Sequence, residues 1–357
     1  MKKKIFLLLF LFFCFFVSGT ARRNDDYSKG PFYGKNLFSQ YVLYYCFPGV
    51  DPGPGEKFKF SWHVSTYYTQ DFMTNWKQLQ RKDQIDSTHF DHTQYVTTDY
   101  ESFTLETGAD FYITRKLQLG MDMRLITYYG GFLDSFIEGF HSIFNFPNAG
   151  REYFIRDNIF INIYTNNNIR IFLDKPSAGF GDIDLWVKYN FFHNRFLDLA
   201  VMGAFKIPTG RINSVSGSGY PDFGVSLLMN FKPVWFLSLY TQTGLVVPID
   251  VIPAISSDPY PMFQGIFGVE IHPHRIFSFL VQLNLKTPPF TGDIIYMNNL
   301  YITGEFFSQP QTNLLFGGIL YFKPFRVQIY FEEDAFTNAG VDFTLNIMLS
   351  HSFRIYK

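Results

Sequence analysis

Between residues 181 and 247, apolar and polar residues alternate with a period of two through four successive segments. Leu185, Val187, Tyr189 and Phe191, then Leu197, Leu199, Val201 and Phe205, share one parity. Phe223, Val225, Leu227 and Met229, then Leu237, Leu239, Leu245 and Val247, continue it. The other parity holds Asp182, Asp184, Lys188, Asn190, Lys206, Asp222, Ser226, Asn230, Ser238 and Gln242. Successive side chains of an extended chain point to opposite faces, so this pattern predicts a sheet with one oily face and one wet face. Strands of about ten residues, joined alternately by tight turns and longer loops, are the pattern of a transmembrane β-barrel. In that register Val201 faces lipid and Met202 faces the lumen, where Met202→Arg is expected to meet water or polar partners.

The same alternation predicts strands at 58–69, 103–113, 117–127, 153–165, 169–173, 263–271, 277–287, 313–321, 325–331 and 341–355. The total is fourteen antiparallel strands, or twelve if the 153–173 hairpin belongs to a loop. Tight turns (Arg115-Lys116, Asn166 to Asn168, His193 to Arg195, Lys232-Pro233, His272 to Arg275, Lys323-Pro324) fall on one rim. Long loops at 70–101, 129–152, 208–221, 248–262 and 288–312 fall on the other, which is the extracellular one in outer-membrane barrels. A soluble β-sandwich alternates as well, but it needs neither strands this long nor so many outward aromatics.

Composition sharpens this picture. Aromatic residues make up 20% of the chain, with 45 Phe and 23 Tyr, which suits interfacial girdles and a lipid-facing wall. A formal net charge of −1 offers no basic patch for a nucleic acid. Lys2, Lys3 and Lys4 precede an apolar run over 5–17 and then Ser18-Gly19-Thr20-Ala21, the three parts of a secretory signal peptide over residues 1–21. Phe12-Phe13 before Cys14 is a poor lipidation context, so Cys46 is left as the one cysteine of the mature chain. Residues 22–57 carry Pro48, Pro52, Pro54 and many glycines without sustained periodicity; they form a segment that either plugs the barrel of residues 58–357 or lies in the periplasm. On the lumen face, cations including Lys59, Arg124, Arg156, Lys188, Lys206 and Arg326 balance carboxylates including Glu106, Asp122, Asp184, Asp222 and Glu270. No strong ion selectivity is expected from such a wall.

Several stretches carry a family resemblance. Gly30-Pro31-Phe32-Tyr33-Gly34-Lys35-Asn36-Leu37-Phe38 is one, and Asp134-Ser135-Phe136 with His141, Phe144 and Phe146-Pro147-Asn148-Ala149-Gly150-Arg151-Glu152 is another. Gly179-Phe180-Gly181-Asp182-Ile183 and Lys206-Ile207-Pro208-Thr209-Gly210 are more general. Together they resemble a family of bacterial outer-membrane β-barrel proteins of unknown function. The resemblance implies a barrel integral to the outer membrane of a diderm bacterium, and brings no catalytic residues. Outer-membrane barrels usually end on an aromatic residue, whereas Tyr356 here is followed by Lys357. A looser likeness, of architecture only, is to fatty-acid transport channels.

The candidate chemistry is sparse. Residues 132–146 place Phe136, Phe140 and Phe144 on one helical face, with Pro147 as a stop, an amphipathic element that could act as a lid or landing site. Phe136, Phe140, Phe144, Arg151 and Glu152 are therefore the candidate ligand-binding residues. His89, Asp91 and His92, and separately His272 and His274, read as solvated or structural, so no metal and no cofactor are expected. No nucleophile elbow or phosphate loop is present. The expected function is passive uptake of small hydrophobic or amphipathic molecules, not catalysis. A surface adhesin or structural barrel is the alternative, and a lipid-modifying enzyme a distant third. Expected partners are outer-membrane lipid, the barrel-assembly machinery and small hydrophobic solutes.

Overall fold

The structure is a computed structural model that describes residues 28–35, 43–74, 97–144, 155–164, 170–249, 260–288, 295–297, 300–302, 310–334, 341 and 343–355. The signal-peptide region and the histidines of the first long loop lie outside the described residues. The first three strands are β1 (Lys59–Thr74), β2 (Thr97–Tyr112) and β3 (Leu117–Tyr129). Next come β4 (Phe160–Tyr164), β5 (Arg170–Leu173), β6 (Ser177–Phe180) and β7 (Ile183–His193). The wall continues with β8 (Leu197–Ile207), β9 (Asp222–Val234), β10 (Leu237–Pro248), β11 (Met262–Ile271) and β12 (Phe277–Lys286). After a small hairpin, β13 (Ile295–Met297) and β14 (Leu300–Ile302), it ends with β15 (Gln311–Phe322), β16 (Phe325–Asp334) and β17 (Phe343–Arg354). An α-helix, α1, spans Asp134–Phe144.

The sheet closes where β1 pairs antiparallel with β17, from Lys59↔Arg354 to Gln70↔Phe343. β6 and β7 occupy one position in the wall, because both pair with β3, through Leu125↔Phe180 and Leu117↔Tyr189. The barrel therefore closes with twelve strands. The 153–173 hairpin survives as β4–β5, but it attaches to the end of β2 (Thr97↔Asn162) and stands outside the closed wall. Strands of five and four residues cannot cross a hydrocarbon core that requires about 9–11 tilted residues. β1 and β2, by contrast, run five pairs past the predicted boundary, from Gln70↔Glu101 to Thr74↔Thr97. That overhang carries Gln70, Asp71, Asp99 and Glu101 beside Phe72, Met73 and Tyr100, so the apolar alternation of the wall does not continue into it.

One turn differs from expectation. β9 runs through Lys232-Pro233 to Val234, and the reversal falls at Trp235-Phe236, next to a register shift between Leu237 and Leu239. Lys232 is held within the strand by Asp198, at 2.8 Å. Proline is tolerated beside such an irregularity because no ladder donor is needed there.

The outward parity is as the alternation predicts. Val187, Val201, Leu227 and Leu245 stand exposed on the wall. The inward parity differs from a wet pore face, since Asp184, Lys188, Asn190, Lys206, Asp222, Ser226 and Ser238 are all buried. Met202 is fully buried in an apolar cluster with Tyr45, Phe47, Leu228 and Val246. The expectation that an arginine there would meet water or polar partners is therefore corrected. Arg156 does not face the lumen; it pairs with Glu138 of α1 and is largely exposed.

Candidate functional site

What buries the inward face is the chain's own N-terminal segment. An extended stretch without a sheet of its own must still satisfy its N–H and C=O groups, and the barrel wall does this with side-chain amides. Gln282 accepts from Phe32 N at 3.0 Å and donates to Phe32 O at 3.4 Å. Gln328 accepts from Tyr33 N at 3.1 Å and donates to Pro31 O at 3.2 Å. Gln264 accepts from Phe47 N at 3.0 Å and donates to Tyr45 O at 2.8 Å. Each glutamine turns its carbonyl and an N–H of its amide group toward the segment, and so stands in for the edge of a neighbouring strand. Glu270 takes the N–H of Lys29, Asp222 that of Tyr45, and Asn190 donates to Pro52 O.

The excursion has two limbs. Ser28 and Lys29 lie at the short-turn rim, where the Lys29 ammonium donates to His274 O at 3.2 Å. Leu43 to Phe47 lie near the long-loop rim, against Lys206, Asp222 and Gln264. The chain then returns, and Gly55 N donates to Arg115 O at 2.9 Å, in the turn between β2 and β3. Where the limbs pass, a Cβ on Gly49 would come within 2.1 Å of Phe32 O, so only glycine allows the approach.

At mid-lumen the ascending limb inserts one charge. The Lys35 ammonium lies 2.9 Å from Asp184, 3.1 Å from Asp122 and 3.4 Å from Glu106, with every partner buried. Strand register assembles these groups, since Asp122 pairs with Asp184 across β3–β7 and Glu106 with Arg124 across β2–β3. Tyr33 donates its hydroxyl to Asp122 at 2.7 Å, and His63 Nε2 lies 3.3 Å from the same carboxylate. His63, Glu106 and Asp122 bring ligand atoms within 4.8 Å of one another. With Lys35 contacting two of these carboxylates, the centre of charge is already taken, so the cluster does not suit a metal while the segment is in place. A second lysine, Lys206, bridges Asp182 and Asp222 at 3.2 and 3.0 Å.

The wall is also shaped for one ring. A Cβ on Gly224 or on Gly244 would each lie 2.8 Å from the ring of Phe47, and Ala204 borders the same spot. These small inward residues on β8, β9 and β10 leave a notch that the ring fills. Gly224→Val is expected to expel the ring and destabilise the folded protein by about 1–3 kcal/mol, the usual range for overpacking. A urea titration of the variant beside the parent protein checks this, and coincident curves would show that the notch is slack.

The model of the protein family described as "protein of unknown function (DUF3187)" matches residues 66–353. The chain belongs to that family. No curated protein matches. Among solved structures, the COG4313 outer membrane channel from Pseudomonas putida F1 superposes with a TM-score of 0.52 at 12% identity, covering 85% of this chain and 100% of that one. The Pseudomonas putida toluene transporter TodX gives 0.37 at 10% identity, over 92% and 100% of the two chains. The Ralstonia pickettii toluene transporter TbuX gives 0.38 at 8%, over 85% and 90%. The likeness to the first of these shows a shared fold, that of an outer-membrane β-barrel.

Of the residues singled out in this DUF3187 chain by pattern, Phe136 lies on α1, away from the lumen contacts. α1 lies at the long-loop rim, with Asp134 accepting from Asp157 N at 2.7 Å. Ile137 is buried, whereas Phe136 is 61% exposed. Phe140 and Phe144 lie on the same helix, with their side chains outside the described residues, as are Arg151 and Glu152 entirely. His272 bonds Ser238 at 3.1 Å and is buried. Lys35, the three glutamines and the inward glycines were missed as functional residues. Their signal was present, in that Gln264, Gln282 and Gln328 each occupy the inward parity of their strands.

Proposed function

We propose that the protein is an outer-membrane channel for passive uptake of small hydrophobic or amphipathic molecules, closed at rest by its own N-terminal segment. The observation that carries this reading is the fit between wall and segment: paired amides for the backbone, a carboxylate cluster for Lys35, and a glycine notch for Phe47. A wall built only for rigidity could be filled by side chains from its own strands, as small barrels are. Here a separate segment fills the space, and it is held through contacts that a moving segment could remake. In this reading the exposed Phe132, Phe136 and Ile143 around α1 are an apolar landing surface at the long-loop rim. Lipid covers the outward wall, and insertion requires the barrel-assembly machinery.

Deleting residues 22–56 tests the proposal. The truncated barrel is expected to conduct in planar bilayers at a level the intact protein does not reach. Equal conductance of the two proteins would refute closure by the segment. It would favour the second reading, a structural or surface-interaction barrel, for which the density of buried ion pairs in the lumen is the specific observation.

A further inference from the structure

The short-turn end of the barrel holds a cavity of about 740 Å³ below the N-terminal limbs. Its charge is lopsided. Lys29, Lys59, Arg275, Lys323 and Arg326 line it, against Asp51 and Asp110. This is a formal excess of three positive charges in a protein whose net charge is −1. None of Lys59, Arg275, Lys323 and Arg326 makes an ion pair with a carboxylate among the described residues. Asp110 is engaged by Gln118 at 2.6 Å, and Asp51 by Gly53 N at 2.9 Å. Arg326 donates one N–H to Pro31 O at 3.2 Å, while its Nε is buried and has no hydrogen-bond partner.

The cavity is not a purely polar space. Tyr112, Trp186, Val50 and Met348 form part of its lining, and all four are buried. Arg275 and Lys323 lie in the turns β11–β12 and β15–β16, so the mouth opens on the short-turn rim. Among the described residues, that side of the cavity is open. Pockets of about 300–1,000 Å³ with an apolar lining and a few convergent polar groups suit small organic ligands. Guanidinium presents a rigid fork of N–H donors that matches two oxygens of a carboxylate or of a tetrahedral oxyanion.

We propose that this cavity binds an apolar organic anion, a carboxylate or sulfonate carried on a hydrocarbon body. The head group lies at Arg326 and Lys59, the body against Tyr112, Trp186 and Met348, and the turn residues Arg275 and Lys323 draw it in by their field. The site stands apart from permeation, because it is open on one side while the lumen above it is filled.

Calorimetric titration of the full chain in a neutral detergent tests it with three probes: naphthalene-2-sulfonate, the uncharged 2-naphthalenemethanol, and inorganic sulfate. The sulfonate is expected to bind saturably, the other two not. Arg326→Gln should weaken sulfonate binding at least tenfold. Because Arg326 also touches Pro31, the exposed Lys323→Glu serves as a second variant, expected to weaken binding several-fold at low salt and less at high salt. Unchanged sulfonate binding in both variants would reduce the signal to micelle partitioning and overturn the site. Saturable binding of sulfate alone, or of the alcohol with equal affinity, would overturn the amphipathic assignment. Conductance plays no part in this readout, so failure here leaves channel function unaffected.

Discussion

Lys35→Met should lower the stability of the folded protein by about 3–5 kcal/mol, the usual result of removing one partner from a buried ion pair. The cause is the charge left behind. Asp122, Asp184 and Glu106 surround the ammonium at 3.4 Å or less. Without it Arg124, 3.8 Å from Asp184, is the cation that remains beside them. Methionine keeps most of the volume, so the loss is electrostatic and not a cavity. The variant has an easier escape than unfolding, since the N-terminal segment can leave and admit water to the carboxylates. A rise in bilayer conductance and in protease sensitivity of residues 28–55 is therefore expected alongside the lower urea midpoint. Adding Asp184→Asn, which removes one negative charge, should recover part of both effects. If Lys35→Met left the urea midpoint and the conductance where they were, the cluster would not be what holds the segment.

Val201→Arg is expected to cost about 2–4 kcal/mol in a bilayer, the penalty for a cation on the lipid face near the midplane. Val201 lies mid-strand in β8, outward and 39% exposed, while its neighbour Met202 is 0% exposed. Spin labels separate the two positions more sharply than stability alone. A label at 201 should be accessible to oxygen dissolved in lipid and shielded from a polar relaxation agent. A label at 202 should be shielded from both, because the apolar cluster around Tyr45 and Phe47 covers it. A lipid profile at 202, or the same profile at both sites, contradicts the register.

These two positions show how far local pattern reaches. The fate of Val201 was legible because a period of two is a property of neighbouring residues, and lipid enforces it on every strand. The fate of Met202 was not, because parity states which face a side chain is on and nothing about what fills that space. Lys35 meets Asp184 across a separation of 149 residues, and Tyr45 meets Gln264 across 219. No short-range periodicity encodes such contacts. The 153–173 hairpin marks a second boundary. Its alternation was real, yet strand length against bilayer thickness decided that it stands outside the wall. The aromatic face of residues 132–146 did form a helix, but amphipathicity alone did not reveal which part of that face would be covered.

Both limbs of the N-terminal excursion meet the same rim. A peptide that entered at one mouth and left at the other would be threaded, and could be removed only by passing a free end through the barrel. Here Lys29 and Gly55 both lie at the short-turn rim, and the second limb runs directly into β1. The described limbs, 28–35 and 43–55, are placed as the two sides of a bight, like a loop of rope pushed into a tube. It can be folded in after the barrel has closed, and tension on the limb that begins at Ser28 can draw it out again, with no strand of the wall unpaired.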